Sequence, residues 1–375
     1  MSRFFDLVTK PAREIGGYEP GVPTRSVAPE PHLIRLDSNE NPLGPSPRAI
    51  EAMQRALAET HAYPDNDCTA LAAKLSELHA APTEQIMVTP GSTGMISLLC
   101  HTLLAPGLNA VTSEKSFIVY GMAVRATGAE LIATPTKNDG FNLAAILAAV
   151  NRNTRLVFLA NPNNPTGTLL DANELDRFIA EIPGHVVVVL DEAYFEFAAH
   201  FAERRKVEYS RSLRHLGQGA SVVVLRTFSK AHGLAGLRIG YGLGPAELLS
   251  YCRRMQDTYS VSSVAQAAAI SALDDDDHVT RSVSHNAEQA SSLSTGLLEL
   301  GFKVTPTWAN FIYCDLRQDA AAISQRLRAE GISVRPLGAW GAQNCIRVSI
   351  GTAQQNEKFL DAMRQIPPTT SSQSG

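Results

Sequence analysis

The sequence lacks the patterns by which several large classes of protein are recognised. Its 5 cysteines form no C-x-x-C pair and its 10 histidines show no H-x-x-x-H spacing, so neither a disulfide framework nor a metal site is indicated. Basic residues (33) do not exceed acidic residues (37), which argues against nucleic acid as a partner. No signal peptide and no apolar run of about 18 residues occurs. We therefore expect no membrane contact and, with unpaired thiols, a cytoplasmic location.

Two catalytic motifs of α/β proteins are also absent. No G-x-G-x-x-G follows a predicted strand, since Gly240-Tyr-Gly242 lacks the third glycine, and this disfavours a nucleotide-dependent dehydrogenase. No G-x-S-x-G occurs, which disfavours a serine hydrolase. A binding protein without catalytic activity stays open at this stage.

The order of apolar segments predicts an α/β fold. Strand-like runs alternate with helical patterns, which is typical of a mostly parallel sheet covered by helices on both faces. The predicted strands are Gln85–Thr89, Ala110–Thr112, Leu131–Thr134, Leu156–Ala160, Val186–Leu190 and Val222–Arg226. The predicted helices are one beginning near Ser46–Pro47, then Thr69–Leu78, Met95–Leu104, Tyr120–Ala126, Leu143–Val150 and Ala172–Ile182.

A chain of 375 residues is too long for one simple core, so we expect two domains. Residues 1–45, rich in Pro and Gly, are predicted to form an N-terminal arm that joins the smaller domain. Residues 46–260 are predicted to form the large domain, and residues 261–366 a smaller α+β domain that begins with two helices. The tail 367–375 is predicted to be disordered.

A lysine with two possible phosphate ligands follows the last predicted strand. Ligands of α/β sheets bind outside the carboxyl ends of the strands. Lys230 stands there in a mostly apolar setting, where a charged amine is costly and imine formation is favoured. Ser229 and Arg238 flank it, and arginine offers a planar fork of donors to phosphate oxygens. A lone lysine of this kind would more simply be a surface residue in a loop.

Three other strand ends carry polar residues that complement this lysine. Asp191 needs a partner such as a protonated pyridine nitrogen, Asn164 offers an amide donor, and Ser92 and Thr93 enter a helix whose N–H groups suit an anion. Each alone has a plainer explanation, as a helix cap, a rigid turn or an ordinary helix start. Together they predict a phosphate-bearing aromatic cofactor and disfavour a binding protein without activity.

Three segments resemble the fold-type I pyridoxal-phosphate (PLP) aminotransferases of the aspartate aminotransferase superfamily: NPNNPTG (161–167), DEAY (191–194) and SKAHGLAGLRIGY (229–241). Within that group, three more resemble the histidinol-phosphate aminotransferases: NENPLGPSP (39–47), YPD (63–65) and IRVSIGT (346–352). The resemblance extends from about Tyr18 to about Ala362. It implies a fold-type I α/β architecture with PLP bound in the large domain.

The resemblance also implies roles for individual residues. Lys230 would anchor the cofactor and move the substrate proton, Asp191 would pair with the pyridine nitrogen, and Phe117 would stack on the ring. The other expected cofactor ligands are Tyr194 and Asn164 at the ring oxygen, Ser229, Arg238, Ser92 and Thr93 at the phosphate, and Tyr63 of a second subunit at that same phosphate. The expected substrate ligands are Arg347, Arg335, Tyr18 and Asn39.

Two departures from the family pattern affect these roles. The glycine-rich helix start often reads G-S-D-E, but here it reads Gly91-Ser-Thr-Gly94, so only backbone donors carry over. The stacking aromatic usually follows a proline, but here Glu114-Lys-Ser116 precedes Phe117.

The reaction implied by the resemblance is transamination between L-histidinol phosphate and 2-oxoglutarate in an obligate homodimer with a shared active site. An aromatic-amino-acid aminotransferase is the nearest alternative, and a threonine-phosphate decarboxylase is a more distant one. Arg335 is the discriminating residue, because a role in phosphate binding would matter more for histidinol phosphate than for phenylalanine.

Overall fold

The computed structural model describes residues 4–5, 7–15 and 33–366. Tyr18, much of the predicted N-terminal arm and the predicted tail 367–375 lie outside the described residues. The described strands are β1 Ile34–Leu36, β2 Ile86–Thr89, β3 Asn109–Ser113, β4 Glu130–Thr134, β5 Thr154–Ala160, β6 Val187–Asp191, β7 Val222–Thr227, β8 Gly240–Leu243, β9 Lys303–Thr305, β10 Phe311–Asp315, β11 Ile332–Leu337 and β12 Ala342–Ser349. The described α-helices are α1 Lys10–Glu14, α2 Pro47–Ala56, α3 Thr69–His79, α4 Gly91–Leu103, α5 Ile118–Ala126, α6 Leu143–Ala149, α7 Ala172–Glu181, α8 Phe195–Arg205, α9 Ser212–Gly217, α10 Ala246–Arg254, α11 Ser263–Ala272, α12 Asp276–Glu299, α13 Ala320–Ala329 and α14 Ala353–Arg364.

A seven-stranded sheet forms the larger part of the fold, in the order β2-β8-β7-β6-β5-β3-β4. The six predicted strands are all present, and those from β7 to β4 run parallel. Val188, Val189 and Leu190 of the central strand β6 are fully buried, because helices cover both faces of a parallel sheet. The predicted α/β fold is therefore confirmed.

Strand β8 is an addition that the sequence did not reveal. It runs antiparallel to both of its neighbours, β2 and β7. Its sequence, Gly240-Tyr-Gly-Leu243, has two glycines in four residues, and glycine is depleted in strands. Through β8, the end of β7 is brought beside the start of α4, where the predicted anion ligands stand.

A five-stranded sheet forms the smaller part, in the order β1-β11-β12-β10-β9. Its edge strand β1 comes from the start of the chain and pairs in parallel with β11, Ile34 opposite Ile332. The segment that follows β1 passes from this sheet towards the end of β7. The smaller sheet thus brings residues from near both ends of the chain close to the end of β7.

The predicted helices are present with shifts of a few residues at their ends. Helix α2 begins where predicted, because the Ser46 side chain accepts from the backbone N–H groups of Arg48 and Ala49, as an N-cap serine does. Helix α11 packs its alanines, among them Ala265 and Ala269, into the core of the larger sheet. The predicted domain boundary after residue 260 stays a prediction, and this packing favours a boundary nearer to Leu273.

In the part of the chain that the structure describes, no helix is both long enough and apolar enough to cross a membrane. The same residues hold no group of three or more His, Cys, Asp or Glu that could bind a metal ion.

Candidate active site

Lys230 lies in the turn after β7 and faces a cavity of about 200 Å³ between the two sheets. Its Nζ donates to the backbone oxygens of Asn39, at 3.1 Å, and of Ser38, at 3.3 Å. Burial, and after it the nearby charge of Arg347, lower the pKa of Lys230 to about 7. An amine with this pKa is substantially neutral near pH 7, which a nucleophile or a general base requires.

Asp191 is the last residue of β6 and is 4% exposed. The hydroxyl of Tyr120 donates to its Oδ2 at 2.8 Å, and the backbone N–H of Ala193 donates to its Oδ1 at 3.2 Å. Burial raises the pKa of Asp191 to about 6, against the lowering effect of the Tyr120 hydrogen bond. A carboxylate in this position is stabilised by a cationic partner, and the cavity is where that partner can lie.

A cluster of amides surrounds the hydroxyl of Tyr194. The Tyr194 hydroxyl oxygen accepts from Nδ2 of Asn39 at 2.9 Å and from Nδ2 of Asn164 at 3.1 Å. Asn39 has a φ of 55°, a left-handed conformation that asparagine tolerates better than most residues. Its side-chain oxygen accepts from Ser349 at 3.0 Å. These contacts fix the tyrosine ring and present hydrogen-bonding groups to the cavity.

The predicted anion cradle is assembled from the start of α4 and the loop after β7. Ser92 and Thr93, in the first turn of α4, line the cavity together with Ser229 and Arg238. Arg238 packs so closely on Gly91 (φ +72°) that an added Cβ would lie 2.7 Å from its Nη2. Helix N-terminal N–H groups, a hydroxyl and a guanidinium together suit a phosphate group.

Two arginines enter the cavity from the smaller sheet. Arg335 of β11 and Arg347 of β12 are directly opposite each other in the antiparallel pair, and both line the cavity. Arg347 donates to Oδ1 of Asn164 at 2.6 Å and to the backbone oxygen of Asp37 at 2.8 Å. The Cβ atoms of directly opposite residues lie within about 5.5 Å of each other, so the two arginine side chains concentrate positive charge at one side of the cavity.

Phe117 lies immediately before α5 and also lines the cavity. Its ring packs edge-on against Tyr120 with 5.6 Å between the centroids, and Tyr120 stacks on Phe158 at 4.7 Å. The aromatic residue predicted to cover a ring is thus supported by the same tyrosine that holds Asp191.

The structure brings twelve of the fourteen predicted site residues to this one cavity. They are Lys230, Asp191, Tyr194, Asn164, Ser229, Arg238, Ser92, Thr93, Phe117, Arg347, Arg335 and Asn39. Tyr63 is not among them: it is 82% exposed and stacks on Tyr259 at 4.6 Å. Tyr18 lies outside the described residues.

Two aromatic residues of the site, Tyr120 and Trp340, were missed by the sequence analysis. Tyr120 lies three residues after Phe117, which is the N-cap of α5, so this short spacing at a helix start could have placed the two rings side by side. Trp340 lines the cavity from the short 3₁₀ turn Gly338–Trp340 between β11 and β12. Nothing in the local sequence distinguishes Trp340 from an ordinary core aromatic.

A lysine and a buried carboxylate meet at the carboxyl ends of a mostly parallel sheet, beside a helix start whose free N–H groups suit an anion. This fold and this site define a pyridoxal-phosphate-dependent enzyme of fold type I. The family model "Aminotransferase class I and II" matches residues 31–363. The chain belongs to that family and, within it, to the histidinol-phosphate aminotransferases.

The relatives that support this assignment match over nearly their whole length. Histidinol-phosphate aminotransferase 2 of Pseudomonas aeruginosa is 41% identical over 371 residues, which is 98% of this chain and 99% of the relative. The histidinol-phosphate aminotransferase of Methylobacillus flagellatus is 40% identical over 374 residues, 98% and 100% of the two chains. The crystal structure of histidinol-phosphate aminotransferase from Sinorhizobium meliloti in complex with pyridoxal-5'-phosphate superposes with a TM-score of 0.83 at 29% identity, covering 88% of this chain and 90% of that one.

Proposed function

We propose that this chain transfers the amino group of L-histidinol phosphate to 2-oxoglutarate, with pyridoxal 5'-phosphate as cofactor. The products are imidazole-acetol phosphate and glutamate, and the step belongs to histidine biosynthesis. The observation that carries the substrate assignment is the cross-strand pair Arg335 and Arg347 in the cavity that holds Lys230. Histidinol phosphate carries a phosphate ester where an amino acid carries its carboxylate, and two guanidinium groups suit a dianion.

The residues of the cavity fit the proposed cofactor. The cofactor supplies, when bound, an electron-withdrawing ring that stabilises negative charge on the substrate carbon next to nitrogen. Asp191 would hold the protonated ring nitrogen, because its buried carboxylate needs a cationic partner. The groups that would hold the rest are Tyr194 and Asn164 at the ring oxygen, Phe117 on the ring face, and Ser92, Thr93, Ser229 and Arg238 at the phosphate.

Lys230 has two tasks in this reaction. Its Nζ would hold the cofactor covalently, and once the substrate amine has displaced it, the free amine would take the proton from the substrate Cα and deliver it to C4′ of the cofactor. A pKa lowered to about 7 leaves enough neutral amine for this work near neutral pH. The carbonyl oxygens of Ser38 and Asn39, which accept from Nζ, are ready acceptors for the displaced amine.

The arginine pair would serve both half-reactions. Arg347 would bind the phosphate of histidinol phosphate and afterwards a carboxylate of 2-oxoglutarate, with Arg335 beside it in each case. Asn164 and the Asp37 carbonyl already orient the Arg347 guanidinium, so little side-chain freedom is lost on binding. Asn39, and Tyr18 from the N-terminal arm, would complete the substrate contacts.

We propose further that the active unit is a homodimer in the cytoplasm. Tyr63 is 82% exposed and does not line the cavity of its own chain, so its expected contact with a cofactor phosphate would be made to a second copy of the chain. Leu57, Tyr251, Met255 and Tyr259 are likewise large apolar residues that this single chain leaves exposed. Sedimentation of the cofactor-loaded protein at the mass of one chain, 40.3 kDa, would refute the dimer.

The test of the substrate is a titration of the cofactor-loaded protein without any keto acid. Histidinol phosphate should remove the visible absorption of the bound cofactor at micromolar concentration, and phenylalanine only at much higher concentration. The opposite order would make the enzyme an aromatic-amino-acid aminotransferase.

The variant Arg335→Leu tests the observation on which the assignment rests, with Arg335→Lys as the charge-retaining control. Loss of a charge-assisted hydrogen bond costs about 1.5–3 kcal/mol, which is roughly ten- to hundredfold. We expect Arg335→Leu to raise KM for histidinol phosphate by that factor, to change KM for phenylalanine about twofold at most, and to be partly corrected in Arg335→Lys. Equal losses for both donors would show that Arg335 does not recognise the phosphate.

A further inference from the structure

Trp340 makes a polar contact between the two halves of the cavity. It stands at the end of the 3₁₀ turn that joins β11 to β12 in the smaller sheet. Its indole Nε1 donates to the backbone oxygen of Ser116 at 2.7 Å, on the loop between β3 and α5 of the larger sheet. Ser116 immediately precedes Phe117. The bond therefore acts on the residue that would cover the cofactor ring.

The backbone before Phe117 depends on such contacts from outside. The loop residues Glu114-Lys-Ser116 include no proline, which would otherwise restrict the chain by fixing φ. Instead, the Lys115 oxygen accepts from Nδ2 of Asn163 at 2.7 Å, and the Lys115 ammonium pairs with Asp139 at 2.9 Å. The Trp340 bond at Ser116 is the contact that holds the next peptide along.

On its other side, Trp340 is attached to the strands that carry the two arginines. It packs on a buried cluster formed by Tyr313, Leu337, Ala342 and Cys345. The turn closes through Gly341, whose φ of 72° permits the reversal into β12 and whose N–H donates to the oxygen of Gly338 at 2.9 Å. The indole is thus fixed to the hairpin of Arg335 and Arg347 while its N–H reaches across the cavity.

We propose that Trp340 is a positioning residue, whose N–H fixes Ser116 and thereby holds the Phe117 ring against the cofactor, in register with the arginine pair that binds the substrate anion. This inference rests on the proposed function for the identity of cofactor and substrate. It assigns to Trp340 no contact with the reacting atoms. Its effect is on the ring that covers the cofactor and hence on turnover of every amino donor alike.

The test compares Trp340→Phe with Trp340→Tyr in the cofactor-loaded protein. Phenylalanine keeps an aromatic ring and removes the donor, whereas tyrosine restores a donor at the tip of the ring. The readouts are the visible circular dichroism of the bound cofactor, which reports the asymmetry of its contacts, and the division of any loss between kcat and KM. Trp308→Phe is the matched control, since Trp308 is the other of the 2 tryptophans and packs against Arg205 and Phe201 instead.

We expect Trp340→Phe to change the visible circular dichroism and to lower kcat by about three- to tenfold for histidinol phosphate and phenylalanine alike, as the loss of one hydrogen bond allows. Trp340→Tyr should recover part of both signals, and Trp308→Phe should match the parent. An unchanged dichroism with a raised KM alone would overturn the inference, because Trp340 would then be only a wall of the substrate pocket. So would equal losses in the Phe and Tyr variants, which would show that the donor is irrelevant.

A second measurement holds even if Trp340→Phe fails to fold. In Trp308→Phe the only tryptophan is Trp340, and its emission, excited where tyrosine does not absorb, should be strongly quenched when the cofactor binds. Unchanged emission would place the indole away from the cofactor and overturn the inference. The circular dichroism and the tryptophan emission are both measured with the cofactor alone, without a substrate. If the parent protein did not use histidinol phosphate, the proposed substrate would be refuted, but these two measurements would still test the role of Trp340.

Discussion

The hydroxyl of Tyr120 offers the sharpest test of how the site controls its cofactor. It donates to Oδ2 of Asp191 at 2.8 Å, and that hydrogen bond lowers the pKa of a carboxyl group which burial raises. Tyr120→Phe removes the donor but keeps the ring stacked on Phe158. We therefore expect the variant to raise the pKa of Asp191 further above about 6 and to weaken the proposed interaction of the carboxylate with a cationic ring nitrogen.

The size of the effect follows from the kind of bond that is lost. A hydrogen bond to an ionised group contributes about 1.5–3 kcal/mol, so cofactor affinity should fall roughly ten- to hundredfold. The dissociation constant is measured by titrating apo-protein with pyridoxal phosphate at several pH values. The deficit should grow as the pH is lowered towards 6, because the variant protonates Asp191 earlier than the parent does.

The matched control is Tyr241→Phe. Tyr241 is equally a buried tyrosine, but its hydroxyl bonds to His79 at 2.9 Å and it does not line the cavity. We expect its cofactor affinity to stay within about twofold of the parent. An affinity of Tyr120→Phe within that same limit would show that the Ala193 N–H suffices to hold Asp191, and the reasoning would be refuted.

Three further predictions concern the cofactor site. Lys230→Ala should lower turnover by at least about 10²–10⁴-fold while some cofactor stays bound. Borohydride reduction should attach the cofactor permanently to the parent but not to the variant. Turnover of the variant near that of the parent would contradict the role of Lys230. The rate at which apo-protein forms its covalent link with pyridoxal phosphate should rise with pH through about 7 as Lys230 loses its proton, and a flat profile between pH 6 and 8 would contradict the lowered pKa. Gly91→Ala should weaken cofactor binding more than about tenfold, because the new Cβ meets Arg238 at 2.7 Å. The control is Gly107→Ala, since Gly107 also has a positive φ (+89°) but lies in open space. Equal cofactor affinities of the two variants would exclude the clash with Arg238 as the cause.

The strand ends were predictable because each leaves a simple trace in the sequence. A short run rich in valine such as Val222–Arg226 favours a buried strand, and the residues that follow a strand lie at the edge of the sheet where ligands bind. Lys230, Asp191 and Asn164 were found in this way, and all three line the cavity. Most of the prediction of the site thus came from the position of polar residues directly after predicted strands.

What the sequence could not reveal depends on contacts between distant segments. Strand β8 has two glycines in four residues, and it is a strand because β2 and β7 pair with it on both sides. Trp340 lies 224 positions from the carbonyl that it bonds, and no local pattern encodes such a contact. Helix α4 begins at Gly91, and the sequence placed its start four residues too late, at Met95, because poor helix formers occupy the first turn.

The pairing of β1 with β11 has a consequence for the order in which the molecule is made. All strands of the larger sheet have been synthesised at residue 243, whereas the partner of Ile34 is not made until residue 332 has been synthesised. At roughly 5–20 residues per second, these two events are separated by about 5–20 s on the ribosome. During that interval the nascent chain already contains Lys230, Asp191 and the phosphate cradle, while Arg335 and Arg347 have still to be translated. The half of the site that we propose to bind the cofactor is therefore made before the half that we propose to select the substrate.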